Sequence, residues 1–110
     1  MKTTLLAAFL LLAVPSFAGT VDGKTARALV KDQKALIVDV RTDDEFNARH
    51  LDGAVNIPVD ELDKRLGELP DKKRPVIVYC KSGSRSAKAA AILKAAGFTQ
   101  VHDLGGIGNW

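Results

Sequence analysis

The stretch Val76-Ile77-Val78-Tyr79-Cys80-Lys81-Ser82-Gly83-Ser84-Arg85-Ser86 decides how this sequence folds and where its chemistry lies. Four β-prone residues lead directly into the only cysteine of the chain, and a polar loop with one glycine follows. The alanine-rich segment 87–96 comes next, so the order predicts a strand, a tight loop and a helix. In open α/β sheets, ligands bind beyond the carboxyl ends of the strands. We therefore expect Cys80 to lie at such an edge, facing the amino end of a helix.

Two interpretations compete for Cys80. A lone cysteine in an apolar strand is often a small buried hydrophobe. Here, however, it ends the strand, small residues follow it, and Lys81 and Arg85 add positive charge nearby. Reactive cysteines occur in such electropositive loops at helix starts, where N–H groups stabilise the thiolate. The pattern favours a nucleophile surrounded by inward-pointing loop amides over an inert core residue.

Composition indicates a small globular protein with room for one domain. The chain has 110 residues, 46% hydrophobic and 26% charged, with a net charge of +3. That charge is too mild to indicate nucleic acid binding, and no basic stripe with aromatic residues is present. One cysteine and two scattered histidines have no metal-ligand spacing, so we expect no metal site and no cofactor.

Residues 1–18 have the three-part layout of a signal peptide. Lys2 is a basic start, residues 5–14 are apolar, and residues 16–18 put small side chains at both positions that a signal peptidase reads. The apolar run is too short to span a bilayer, and an uncleaved anchor is the alternative. We expect a periplasmic domain of residues 19–110, without membrane attachment after cleavage. A lone cysteine in an exported chain suggests intermolecular pairing or a free reactive thiol.

The remaining chain alternates predicted helices and strands. Residues 22–33 have helical spacing, with Asp22 as a candidate N-cap. The apolar run 36–40, broken only by Asp39, predicts a strand buried on both faces. Thr42 and Glu45 have the spacing of a capping box at the start of a further helix.

The second half continues this alternation. Residues 52–58 predict a turn, a very short strand and a stop, and 100–102 predict a last short strand. Between them, apolar residues at helical spacing predict one helix, capped by Asp60 and ended by Pro70. These residues are Val59, Leu62, Leu66 and Leu69. Gly97 supplies the stop of the helix after Cys80. The order predicts an α/β fold with a parallel sheet between helices, and no internal repeat or second domain.

Four motifs resemble those of the rhodanese (sulfurtransferase) family, specifically a single-domain exported member. Ile37-Val38-Asp39-Val40-Arg41 is similar to the first strand motif of the family. His50-Leu51-Asp52-Gly53-Ala54-Val55-Asn56-Ile57-Pro58 resembles its His-Ile-x-Gly-Ala-x-Asn-Ile-Pro segment. Residues 80–86 look like its active-site loop, and 104–110 resemble its closing Leu-x-Gly-Gly-x-x-x-Trp motif with one residue fewer before the glycines. The similarity covers about residues 22–110.

The resemblance implies a three-layer fold with a mostly parallel sheet of about five short strands and helices on both faces. It also implies a sulfurtransferase without a cofactor. Cys80 would take the outer sulfur of thiosulfate or a similar donor, release sulfite and pass the sulfur to a thiophilic acceptor through a persulfide. The implied partners are small sulfur-donor anions and thiol acceptors, and we expect a monomer.

The resemblance also assigns roles to individual residues. Amides of the loop after Cys80 would hold the transferred sulfur, and its side chains would favour anions. The loop residues are Lys81, Ser82, Gly83, Ser84, Arg85 and Ser86. We expect Asp39, Arg41 and His50 mainly to hold the loops in place. Neither His50 nor His102 is placed beside Cys80 by the sequence alone, so a cysteine–histidine hydrolase is not supported.

Two alternatives remain open. A persulfide carrier with little turnover would share Cys80 and its loop with the enzyme and would differ only in the acceptor. A phosphatase is less favoured, because related phosphatases and arsenate reductases have a loop one residue longer, which makes room for a tetrahedral phosphate. The four residues between Cys80 and Arg85 suit a single sulfur atom.

Overall fold

The computed structural model describes residues 20–110, so the predicted signal peptide lies outside the described residues. The helices are α1 (Gly23–Gln33), α2 (Asp43–Ala48), α3 (Val59–Leu62) and α4 (Ser84–Ala95). The strands are β1 (Leu36–Asp39), β2 (Val55–Asn56), β3 (Val76–Cys80) and β4 (Val101–Gly106). Short 3-10 turns occupy Leu66–Glu68 and Ile107–Asn109. Within residues 20–110, every helix is too short or too polar to cross a membrane.

The sheet is parallel throughout, with the strand order β2-β1-β3-β4. Asp39 at the end of β1 lies opposite Asn56 of β2 on one side and Tyr79 of β3 on the other. The predicted α/β fold with a parallel sheet is confirmed. The described residues form four strands rather than the expected five or so, and Thr20 adds only an isolated bridge to Asp103. Because the strands are parallel, their carboxyl ends meet at one edge.

Helices cover both faces of the sheet, as predicted. Successive β-strand residues point to opposite faces, so Ile37 packs on the side of α1 while Val38 packs on the side of α3 and α4. Each face has its own apolar cluster of buried residues. The continuous apolar runs of β1 and β3 follow from this burial on two sides.

The predicted caps of α1 and α2 and the predicted end of α4 are confirmed. The Asp22 carboxylate accepts a hydrogen bond from the Thr25 N–H (2.8 Å) at the start of α1. Thr42 and Glu45 form the complete capping box of α2. Gly97, with a φ of 99°, lies directly after the last turn of α4 in a conformation that favours glycine. These residues determine where the helices begin or end, because their hydrogen bonds or turn conformations satisfy backbone groups that would otherwise be unpaired.

Two elements are longer than predicted, and both changes affect the site. Helix α4 begins at Ser84 rather than at residue 87, so the second half of the Cys80 loop is the first turn of the helix. Strand β4 continues to Gly106 instead of ending at residue 102. Both extensions bring main-chain groups toward Cys80.

The prediction of one helix over residues 59–69 is wrong. Helix α3 ends at Leu62, its N-cap is Pro58 rather than Asp60, and the 3-10 turn Leu66–Glu68 follows. Arg65 leaves the helical region (φ −117°, ψ 18°), and Gly67 follows it, a residue type that disfavours helix.

The leucine periodicity in this segment still marks the core, because Leu62 is completely buried and Leu69 nearly so. Leu62→Ala should lower the free energy of unfolding by about 2–5 kcal/mol, because it empties a buried site between α3 and the sheet. Leu66→Ala is the matched control, since Leu66 is only partly buried, and it should cost clearly less. Urea unfolding measures both changes. Equal losses would contradict the packing described for this segment.

Candidate active site at the Cys80 loop

Main-chain N–H groups point at the sulfur of Cys80. The N–H of Gly83 donates to Sγ at 3.0 Å, and the N–H of Ser86 donates to it at 3.3 Å. Gly83 is the N-cap of α4 and has a φ of 111°, a conformation that L side chains rarely adopt. Ser86 lies in the first turn of the helix. The loop therefore wraps its amides around one atom because a glycine allows the turn.

The pKa of the Cys80 thiol is lowered by this surrounding. Burial alone raises the pKa, but hydrogen bonds from the hydroxyl and N–H of Ser86 and from the N–H groups of Gly83 and Ser82 outweigh it. The Ser86 hydroxyl also lies 3.1 Å from the Gly83 carbonyl oxygen. It has one hydrogen to donate, and a charged sulfur is the stronger acceptor. The arrangement favours a thiolate.

Cys80 is also almost completely enclosed, with 1% of its surface exposed. Such burial is what the inert interpretation would give, but a core cysteine among apolar groups would not have two N–H groups aimed at its sulfur. The cover is thin, because Lys81, Ser82 and Ser84 are exposed. A reagent must therefore pass this single layer of loop to reach the sulfur.

The end of strand β4 packs closely against the loop that follows Cys80. Gly106 pairs with Cys80 in the sheet, and a Cβ added at Gly106 would lie 2.5 Å from the Lys81 carbonyl oxygen. The preceding Gly105 has a φ of 82°. The close approach of the two main chains explains why glycines end this strand.

The guanidinium of Arg85 is paired with a carboxylate from α2. Its two terminal nitrogens donate to Glu45 Oε1 (2.7 Å) and Oε2 (3.1 Å). This pairing, together with hydrogen bonds from Thr42, lowers the pKa of Glu45 to about 2. The partner of Arg85 was not foreseen from the sequence, because forty residues separate the two, and the only signal at Glu45 was its capping box.

A buried polar network lies at the carboxyl ends of β1 and β3. Arg41 donates to both carboxylate oxygens of Asp39 at 2.6–3.1 Å and also to the carbonyl oxygen of Arg49 at 2.6 Å. The Tyr79 hydroxyl donates to Asp39 (2.7 Å) and accepts from the N–H of Leu51 (3.1 Å). Burial, assisted by the Asp39 bond, raises the pKa of Tyr79 to about 12. The network connects segment 49–51 to the sheet. The sequence did not indicate the polar role of Tyr79, because a tyrosine within an apolar strand is typical of a core residue.

The remaining predicted residues lie apart from the sulfur. His50 is exposed, its Nδ1 lies 2.8 Å from the Phe46 carbonyl oxygen, and its ring stacks on Phe46 at 3.8 Å. His102 lies opposite Ile77, at the other end of β3 from Cys80. The structure thus brings the loop residues, Asp39 and Arg41 to one edge, while His50 contacts Phe46 and His102 lies near the other end of β3.

The fold and the site define a class of protein. It is a parallel α/β domain in which a cysteine ends a central strand and receives hydrogen bonds from the main-chain N–H groups of the following loop. Residues 22–110 match the family described as the Rhodanese-like domain, and the chain belongs to this family. The resemblance of the four sequence motifs is thereby confirmed over the predicted range.

Individual relatives agree with this assignment. The chain is 39% identical to the thiosulfate sulfurtransferase PspE of Escherichia coli over 71 residues, which are 64% of this chain and 68% of that protein. It is 36% identical to a structure described as a rhodanese with anions from E. coli, with a TM-score of 0.66 and coverage of 69% and 91%. The human single-domain sulfurtransferase TSTD1 is 26% identical, with a TM-score of 0.71 and coverage of 86% and 93%. Some longer curated relatives are spanned over only 20–31% of their length. The relatives support sulfurtransferase activity in general terms.

Removal of the Tyr79 hydroxyl tests the buried network. Tyr79→Phe should destabilise the fold by about 1–3 kcal/mol, because the Leu51 N–H loses its buried acceptor and Asp39 loses a donor. Thr99→Val removes an exposed hydroxyl that also makes one hydrogen bond and should change stability by about 0.5 kcal/mol or less. Thermal unfolding would separate the two, and an unaffected Tyr79→Phe variant would argue against the network.

A Cβ at Gly106 tests the contact between β4 and the loop. Gly106→Ala should displace Lys81 and disturb the amides around Cys80, because the added carbon overlaps the Lys81 carbonyl oxygen. The pKa of Cys80, measured from the pH dependence of its alkylation by iodoacetamide, should then rise toward the usual value. Gly108→Ala has open space and should leave that pKa unchanged. Matching alkylation profiles for the two variants would show that the contact does not shape the site.

Proposed function

We propose that this protein is a thiosulfate sulfurtransferase of the rhodanese type, which moves a sulfane sulfur through a persulfide on Cys80. The observation that carries the proposal is the pair of main-chain N–H groups directed at Sγ. Such donors stabilise an anionic sulfur, and the outer sulfur of a persulfide is anionic as well. The name of PspE, a thiosulfate sulfurtransferase, gives the donor class further support.

The reaction balances without any additional oxidant or reductant. The Cys80 thiolate attacks the outer sulfur of thiosulfate, a new S–S bond forms, and the old S–S bond breaks to release sulfite with its electron pair. The enzyme then holds a persulfide anion. A thiolate acceptor, or cyanide in an assay, attacks the outer sulfur and regenerates the Cys80 thiolate. This is double displacement with a covalent intermediate.

Each part of the loop has a role in this scheme. The N–H groups of Ser82, Gly83 and Ser86 hold the sulfur in both its thiolate and persulfide forms. Lys81, which is exposed beside the sulfur, attracts anionic donors from solvent. Asp39 and Arg41 act through the chain segments that they tie to the sheet rather than through contact with the donor. His50 follows the end of α2, and its contact with Phe46 supports that turn.

A persulfide carrier is the second candidate, and the near-complete enclosure of Cys80 favours it. A sulfur that is shielded from solvent would be retained on Cys80, because acceptors dissolved in water reach it slowly. The carrier would load sulfur once for each Cys80 and turn over slowly with cyanide. Steady-state kinetics with thiosulfate and cyanide separate the two candidates.

Export to the periplasm through residues 1–18 and a monomeric state in solution complete the proposal. The proposed partners are small sulfur-donor anions and thiol acceptors, with neither nucleic acid nor membrane among them. The mild net charge argues against a nucleic acid partner, and the signal-like start of the sequence supports export.

Exposure to thiosulfate, followed by mass spectrometry of the intact protein, tests the proposal. We expect the mass of one added sulfur on the wild-type chain, which has a single cysteine and therefore a single place for it. Cys80→Ser should keep the native fold and lose both the added sulfur and all transfer to cyanide. Sulfur transfer that survives in Cys80→Ser would refute the assignment.

A further inference from the structure

The positive charge of Arg85 is paired with a carboxylate in the protein without any bound donor. Its guanidinium makes a two-point ion pair with Glu45, at 2.7 and 3.1 Å, and about one third of each side chain is exposed (33% and 29%). A pair of this geometry is stronger than a single contact between the same groups. The Glu45 carboxylate is held in place from a second side, because it also accepts from the N–H and hydroxyl of Thr42 at 3.0 and 3.1 Å.

The pair is electrostatically coupled to the reacting sulfur. Arg85 precedes Ser86, whose N–H donates to Sγ, so the ion pair and the sulfur share the first turn of α4. The hydrogen bonds to Glu45 are the main reason that the pKa of Arg85 is raised, and the negative charge of the Cys80 sulfur adds to this increase. An unpaired guanidinium at this position would attract multiply charged anions. With Glu45 beside it, the pair has no net charge, and the sulfur is held mainly by main-chain N–H groups.

We propose that Glu45 determines the donor selectivity of the Cys80 loop by cancelling the charge of Arg85, so that singly charged sulfane-sulfur donors are favoured over doubly charged ones. This inference rests on the proposed sulfur transfer and narrows its substrate class. Glu45 is a positioning and charge-compensating residue, since it touches Arg85 and not the sulfur. Thiosulfate, a dianion, would then still load Cys80, but more slowly than a monoanionic donor of equal intrinsic reactivity.

Two donors of different charge make the proposal measurable when the rate with each donor is compared between the wild type and the variant, so that their differences in size and leaving group cancel. Thiosulfate has a charge of −2 and releases sulfite, whereas benzenethiosulfonate has a charge of −1 and releases benzenesulfinate. In both cases the Cys80 thiolate forms the new S–S bond, the donor's S–S bond breaks, and the sulfinate or sulfite leaves with the electron pair. The second-order rate constant for loading Cys80, followed by rapid quenching and mass spectrometry, reports the donor step without an acceptor.

Glu45→Gln is the test variant, because glutamine is also suited to the capping box with Thr42. It removes the charge and the acceptor of one Arg85 hydrogen bond, while its carbonyl oxygen can keep the bonds from Thr42 and the other bond from Arg85. We expect the loading rate with thiosulfate to rise about fivefold at low salt, the scale of one partly exposed charge, and the rate with benzenethiosulfonate to rise less. The gain should shrink at 0.5 M salt, because salt screens exposed charges. Glu68→Gln is the matched control, since it removes a carboxylate from an exposed pair with Arg65 and should change neither rate.

A readout that needs no sulfur transfer separates failure of this inference from failure of the proposed function. Iodoacetate is an anion and iodoacetamide is neutral, so the ratio of their alkylation rates at Cys80 measures charge selectivity alone. We expect this ratio to rise in Glu45→Gln even if no donor loads sulfur on the wild-type chain. An unchanged ratio, or a slower reaction with both reagents, would overturn the inference, because Glu45 would then be inert or would only hold the loop.

Discussion

The hydrogen bonds from main-chain N–H groups to the sulfur of Cys80 are the interaction on which the site depends. Burial of the sulfur disfavours its charged form, and these bonds favour it; the second effect is larger. The donors belong to a glycine turn and to the first turn of a helix, so their directions are set by backbone geometry rather than by flexible side chains. A site of this kind is preorganised because the donors cannot turn away without unfolding the helix start.

The position of this turn depends on the parallel sheet. Strands β1, β3 and β4 end at one edge, and Asp39, Arg41 and Tyr79 fill the buried space there. A buried carboxylate or guanidinium is costly without a partner, but here each oxygen of Asp39 accepts hydrogen bonds from Arg41. The network leaves little freedom to the segments it connects. It therefore supplies rigidity to the edge rather than a reacting group.

The two positively charged side chains of the Cys80 loop differ in whether a carboxylate compensates their charge. The positive charge of Arg85, in the first turn of α4, is compensated by Glu45, while Lys81 is exposed to solvent. Partial charges of the N–H groups remain to hold the sulfur. Such partial charges suit a small, singly charged atom better than a multiply charged oxyanion, which agrees with the short loop between Cys80 and Arg85.

Much of the fold could be predicted from short stretches of sequence, because the interactions behind these patterns join residues that are close along the chain. The caps at Asp22 and Thr42 satisfy backbone groups within three residues, and the apolar runs of β1 and β3 report burial on two faces. The prediction of one helix over residues 59–69 was wrong, because the spacing of apolar residues indicates which side chains are buried and not whether the backbone stays helical. Leu62 and Leu69 are both buried although the chain changes conformation between them.

The sequence by itself determined the strand–loop–helix order around Cys80, the parallel α/β class and the family, since each rests on residues close together along the chain. Only the tertiary structure decided that Glu45 neutralises Arg85, that Tyr79 bonds to Asp39 and that Gly106 lies against Lys81. These contacts join residues at least 25 positions apart, or depend on strand register, and no short-range pattern encodes them. The enclosure of Cys80 has the same origin, because it arises from the packing of the loop over the sheet edge.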